Sequence, residues 1–322
     1  MSIGIFGGAG FVGSRLAQVL SESEADYLIF DKVLEGTNYV DITQPVTFNE
    51  IPHLDVVINL AAEHRDDVSP KSLYDLVNVE GSLNVCNFCR LRNINTIIFT
   101  SSVAVYGFAP EGTDETGEIN YFNDYGRTKY LAENVYREWY EEDPENRNLI
   151  IVRPTVIFGE ANRGNVYNLL NQIASGRFLM FGEGKNRKSM AYVQNVAEFL
   201  YFSTSLTGYN LYNYIDKPDL DMNTLVSTIR ETLFKKKGVG VRFPAWLGFV
   251  VGYGFDLLAL IFRKKLPISS IRVKKFMGTT AFNTSVTDSG FTPSVTLEDG
   301  LKNTLKYEFL EDNSSKKTFI TE

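Results

Sequence analysis

Five short apolar runs punctuate the first half of the chain, at residues 2–6, 27–30, 56–60, 96–100 and 149–152. Each has the length of a strand buried on both faces. Between them lie helix-length stretches whose apolar positions return every three or four residues: one running to Leu20, then 73–91 and 129–140. Strands alternating with helices predict an α/β fold, a Rossmann-type doubly wound parallel sheet. After about Gly159 the alternation weakens and Gly and Asn become frequent, at Asn162, Gly164, Asn165, Gly176, Gly182 and Gly184. The expected division is a dinucleotide-binding domain over 1–160, with 191–215 returning to it. A smaller substrate lobe would take 161–190 and 216–322. There is no internal repeat and no low-complexity linker.

Composition narrows the classes. The chain has 322 residues, a net charge of −7 and 44% hydrophobic residues. That excludes wholesale disorder, and an acidic balance gives no support for nucleic-acid binding. Two Cys and two His cannot form a disulfide scaffold or an ordinary zinc site, so no metal is expected. The opening residues enter a strand pattern at once, without a secretory signal, so a reduced, cytoplasmic-side protein is expected. The charge is uneven: Arg230 to Lys275 holds eleven Lys/Arg against two acids, leaving the other residues at −16.

Two features carry chemistry. Gly7, Gly10 and Gly13, with Phe11 and Val12 between the last two, form a G-x-x-G-x-x-G loop directly after a strand and at the mouth of a helix. There glycines let the backbone approach a pyrophosphate, whose charge is met by free N–H groups at the helix N-terminus. Asp31 ends the next strand 18 residues past Gly13, where a carboxylate binds a ribose diol and repels a 2′-phosphate. NAD is therefore expected over NADP. The second feature is Tyr125-Gly126-Arg127-Thr128-Lys129. Tyr and Lys four apart on a helix share a face, and a nearby ammonium lowers a phenol's pKa toward use as an acid/base. Thr100-Ser101-Ser102 ends a strand at the sheet's ligand-binding edge.

These motifs, with Asp41-Ile42, Asn59-Leu60-Ala61-Ala62, Asn78-Val79-Glu80-Gly81, Ser101 to Gly107 and Arg153-Pro154, resemble the extended short-chain dehydrogenases/reductases of the nucleotide-sugar epimerase/dehydratase type. The resemblance implies Tyr125 as acid/base, Lys129 as its partner holding the nicotinamide ribose, and Ser102 as the hydroxyl on the reacting sugar oxygen. It implies adenine contacts from Asp41 and Ile42, and cofactor contacts from Leu60, Ala61, Ala62 and Pro154. Two departures bear on the branch. Val103-Ala104 stands where 4,6-dehydratases place an Asp-Glu pair, which argues against dehydration. Val156 stands where soluble UDP-sugar epimerases commonly place Asn.

A narrower likeness spans nearly the whole chain. The segments Ala61 to Pro70, Arg163 to Leu170, Lys188 to Val193, Tyr212 to Leu220 and Ile271 to Phe276 resemble 4-epimerases that act on polyprenyl-diphosphate-linked N-acetylhexosamine. It implies interconversion of GlcNAc and GalNAc on undecaprenyl diphosphate, by transient oxidation at C4, for O-antigen of lipopolysaccharide. His64, Asn165 and Lys188 are then candidate substrate contacts. A soluble UDP-N-acetylhexosamine 4-epimerase and a nucleotide-sugar 4-ketoreductase are the alternatives. The partners would be a lipid-linked or nucleotide-linked amino sugar, with an anionic membrane surface and a homodimer as candidates. The apolar, basic segment 235–275 suits either a monotopic element on the cytoplasmic face of the inner membrane or a buried lobe helix with solvated flanks. Cys86 and Cys89 lie on a helical stretch and read as core thiols rather than a redox pair.

Overall fold

The computed structural model describes residues 1–33, 36–65, 68–262, 274 and 277–321. Its centre is a seven-stranded parallel sheet. The labelled strands are β1 (Ser2–Phe6), β2 (Asp26–Asp31), β3 (Asn38–Tyr39), β4 (Val56–Asn59), β5 (Thr96–Thr100) and β6 (Asn148–Pro154). The spatial order is Tyr209–Tyr214, β6, β5, β4, β1, β2, β3. The order reverses between β1 and β4, so the crevice outside their carboxyl ends is the topological switch point where such sheets bind ligands.

The continuous apolar runs follow from burial on both faces. Phe6, Val57, Ile97, Phe99 and Ile151 pack on one side, with Cys86, Cys89, Tyr136 and Trp139 from helices. Ile5, Ile58, Ile98 and Ile150 point to the other, against Leu16, Leu20 and Phe199. The helix α1 (Phe11–Glu22) therefore lies under one face, beside helix Val193–Phe202. A third core joins helices Asn165–Ala174, Met222–Phe234 and Leu297–Phe309, and Phe11 reaches into it from the start of α1. That contact ties this third core to the glycine loop.

The helical stretch expected over 73–91 is interrupted. It comprises a turn at Ser72–Tyr74, a π-helical turn at Asp75–Glu80 and an α-helix at Gly81–Arg92. The next helix begins earlier than its apolar periodicity suggests, running Asp124–Glu141. Asn123 caps it by accepting from the Gly126 N–H at 2.9 Å. Both cysteines are fully buried, and burial pushes their thiols up, which makes them inert core residues.

Within the apolar, basic segment, Arg242–Phe243 pairs with Met180–Phe181 and leads into helix Ala245–Phe262. Residues 263–273, 275 and 276, with their Arg/Lys cluster and most of the Ile271-to-Phe276 match, lie outside the described residues, as do Asp66 and Asp67. Among the described residues no helix is long and apolar enough to cross a membrane.

Candidate active site

A cleft of about 630 Å³ opens over the carboxyl edge of the sheet. It brings together Gly7, Gly10, Phe11, Val12, Gly13, Asp31, Asp41, Ile42, Leu60, Ala61, Ala62, Tyr125, Lys129 and Pro154, with Ser102, His64 and Asn165 on the same walls. Lys188 is not among the lining residues. Its ammonium donates to the Gly278 carbonyl at 2.6 Å and the Thr280 hydroxyl at 3.2 Å, so it supports the wall through Thr280.

The glycine-loop end of the cleft is built from close backbone approaches. Gly7 has φ +78°, and a Cβ there would lie 2.6 Å from the Ala61 nitrogen; one on Gly13 would lie 2.5 Å from the Gly8 Cα. Only glycine lets the loop, β4 and α1 approach this closely. Gly10 caps α1 with no side-chain hydrogen bond and no acid follows in the first turn, so the helix N-terminus presents its N–H groups without a competing anion. One Asp31 oxygen accepts from the Ala9 N–H at 3.0 Å and the other from the Val33 N–H at 3.1 Å. A carboxylate has about four lone-pair sites, so these two bonds leave Asp31, which lines the cleft, with acceptor capacity to spare. The Asp41 carboxylate instead caps its own turn through Thr43 and Gln44, presenting the loop that carries Ile42.

The two Asn motifs have structural work at this edge. Asn59 donates to the Tyr136 hydroxyl at 2.7 Å and accepts from the Ala61 N–H at 3.0 Å. Asn78 accepts from the Glu63 N–H, donates to the Glu63 carbonyl and reaches the Thr128 hydroxyl at 2.9 Å. They stitch the loop after β4 to the helix bearing Tyr125. Arg127 joins that helix to the π-helical turn, with two bonds to Asp75 at 2.8 and 2.7 Å.

Elsewhere on the cleft wall, the Ser102 hydroxyl is the hydrogen-bond partner of Tyr125. Its Oγ also accepts from the Ala104 N–H at 3.1 Å, which fixes its direction. The electrostatics differ from the sequence expectation. Burial pushes the Tyr125 phenol up to about 12, with the Ser102 bond pulling the other way. Lys129 is only 2% exposed, and burial pulls its ammonium down to about 7, opposed by the charge of Glu133. Its Nζ lies 4.2 Å from the centre of the Phe99 ring. Burial is the largest influence on both groups, because both line a cleft whose walls are largely apolar. The Thr100 hydroxyl on the same wall is buried and has no hydrogen-bond partner among the described residues.

Behind this edge sits a buried ionic network. Glu133 receives Arg153 through two bonds at 2.7 and 2.6 Å, Ser101 at 2.5 Å and Arg137 at 2.6 Å. Arg153 also donates to the Tyr106 hydroxyl at 2.6 Å, which donates to Asn213 at 2.8 Å. The network braces the residues next to Ser102 and Pro154.

Several lining residues escaped sequence reasoning. Thr280 and Phe282 arrive from far along the chain, and Asn162 and Thr321 come together through a 2.7 Å hydrogen bond between their side chains. Phe319 pairs with Asn162 and packs on Phe11, which carries the end of the described chain to the cleft. No local pattern announces such long-range returns. Val103 and Ala104 also line the cleft, and neither can transfer a proton.

The model for the NAD dependent epimerase/dehydratase family matches residues 3–210. The N-acetyl-alpha-D-glucosaminyl-diphospho-ditrans,octacis-undecaprenol 4-epimerase of Escherichia coli O157:H7 is 47% identical over 329 residues, covering 99% of this chain and 98% of that protein. The UDP-glucose 4-epimerase of Vibrio cholerae is 26% identical, with 97% of each chain covered. Among solved structures, a Thermotoga maritima UDP-glucose 4-epimerase with UDP-glucose superposes with a TM-score of 0.73 at 20% identity, over 97% of this chain and 100% of the other. A Thermus thermophilus UDP-glucose 4-epimerase in complex with NAD gives 0.71 at 18% identity, over 95% and 98%. These two share the fold.

Proposed function

Because the chain belongs to the NAD dependent epimerase/dehydratase family, we propose that it is the 4-epimerase that interconverts GlcNAc and GalNAc on undecaprenyl diphosphate. The observation that carries this reading is the 47% identity to the Escherichia coli enzyme along 99% of the chain, with Ser102, Tyr125 and Lys129 gathered in one cleft. The product would feed assembly of a surface polysaccharide. The carrier is a membrane lipid, so the enzyme would work on the cytoplasmic face of the inner membrane.

NAD is the cofactor; when bound, it supplies reversible oxidation and reduction at C4. Gly7 to Gly13 would hold its pyrophosphate and Asp31 its adenosine ribose. Tyr125, as phenolate, takes the C4 hydroxyl proton and later returns it. Forming that phenolate at pH 7 from a phenol at about 12 costs about 7 kcal/mol. The Lys129 ammonium offsets part of this cost. Ser102 holds the C4 oxygen by hydrogen bonding as its charge changes. Inversion needs the 4-ketone to present its other face before reduction, so the cleft must let the sugar turn while its carrier stays outside. His64 and Asn165, on the cleft walls, would contact the sugar or the diphosphate. With Val103 and Ala104 at the dehydratase positions, the wall has no acid/base pair there for eliminating water.

The test offers purified protein GlcNAc-diphospho-undecaprenol in detergent and, in parallel, UDP-GlcNAc. GalNAc formed on the lipid without consumption of added NADH is expected. Product from UDP-GlcNAc alone would overturn the lipid assignment, and stoichiometric NADH consumption would identify a ketoreductase.

A further inference from the structure

We propose that the face of helix Ala245–Phe262 bearing Trp246, Val250 and Tyr253 is a monotopic docking surface for an anionic lipid bilayer; the biological use of that surface rests on the lipid-linked substrate proposed above. Trp246, Val250 and Tyr253 are 65%, 58% and 64% exposed. Their spacing of four and three places them on one stripe of the helix. The opposite side is packed: a Cβ on Gly248 would lie 3.1 Å from the Phe181 ring, and Phe181 in turn meets Phe243 at 5.9 Å between ring centres. A helix covering a lobe normally turns a polar face to water. This one turns an apolar, aromatic face outward, and residues 243–255 carry no charge at all. Leu179 and Val241, beside the short strand pair below the helix, are also exposed.

Charge decides between a bilayer and a second protein chain. Lys235, Lys236 and Lys237 stand exposed in the loop leading to the helix, and none makes an ion pair among the described residues. Arg242 and Lys274 are exposed as well. Pairing this face with its copy would set the basic segment against itself, whereas an anionic headgroup layer neutralises it. Trp and Tyr are the side chains that settle at a membrane–water boundary, and no described helix crosses one. The helix would then lie in the interface plane, with its lobe presented to the carrier's diphosphate.

The experiment is co-sedimentation of the full chain with vesicles of phosphatidylcholine alone or mixed with phosphatidylglycerol. Binding to the anionic vesicles is expected, and weak or no binding to the neutral ones. The triple variant Trp246→Glu, Val250→Glu, Tyr253→Glu should lose binding while keeping turnover of the detergent-solubilised lipid substrate, which also reports its folding. The triple variant Lys235→Gln, Lys236→Gln, Lys237→Gln should bind anionic vesicles about a hundredfold more weakly, at roughly 1 kcal/mol per lysine. Absence of wild-type binding to anionic vesicles, or unchanged binding by the Glu variant, would overturn the proposal. So would a wild-type dimer that the Glu variant abolishes, which would assign the face to a second copy. Turnover of UDP-GlcNAc alone, with vesicle binding intact, would instead overturn the substrate reading.

Discussion

Lys129→Met removes a cation that the fold keeps 2% exposed, and its effect on stability has a defined pH window. In the unfolded chain the lysine holds its proton up to about 10.5; in the folded chain burial lowers that to about 7. Between these values the unfolded state binds more protons, so this group makes the wild type more stable as pH rises from 7 toward 10.5. Below 7 both states are protonated and the full burial penalty is present. The shift corresponds to up to about 5 kcal/mol. Urea unfolding of wild type and variant, measured at intervals from pH 7 to 10.5, gives the difference with other titrating groups largely cancelled. The variant should be the more stable protein near pH 7, with its advantage shrinking by several kcal/mol toward pH 10.5. It should also lose turnover by about a hundredfold or more, because the phenolate loses its cation. A stability difference independent of pH would refute the claim that Lys129 is a desolvated charge.

Other substitutions test other links. Tyr125→Phe should lower turnover by about a thousandfold or more with unchanged NAD retention and thermal stability, read by product assay, cofactor absorbance and calorimetry. Asp31→Asn should weaken NAD binding by about tenfold and raise relative affinity for NADP, measured by fluorescence titration of protein stripped of cofactor. Glu133→Leu should destabilise by about 3–5 kcal/mol because Arg153 is left buried without its bidentate partner. Adding Arg153→Met should recover most of that loss in denaturant unfolding.

The sheet was readable because strands buried on both faces write uninterrupted apolar runs, and β1 and β5 match their runs residue for residue. Helix starts were less legible. The helix bearing Tyr125 opens on polar residues, Asn123 and Asp124, whose signal is capping rather than periodicity. The π-helical turn at Asp75–Glu80 has apolar residues like its neighbours, and what sets it apart is polar: its own Asn78 and, from another helix, Arg127 hold it. In the cleft, local motifs identified groups carried by strand ends and helix starts. Thr280, Phe282 and Thr321 remained hidden because only the folded chain returns them to it. The sense of the Tyr125 shift was also out of reach: spacing sets a lysine one helical turn from a tyrosine, whereas the desolvation that dominates both shifts comes from walls assembled by distant segments.

The most direct test of the central claim, C4 inversion on a lipid carrier by transient oxidation, uses GlcNAc-diphospho-undecaprenol deuterated at C4. The purified protein is given this substrate in detergent with no cofactor added. The account predicts GalNAc on the same carrier with deuterium retained at C4, because what leaves that carbon returns to it within one cleft. Exchange of the label with solvent, or no product until NADH is supplied, would contradict it.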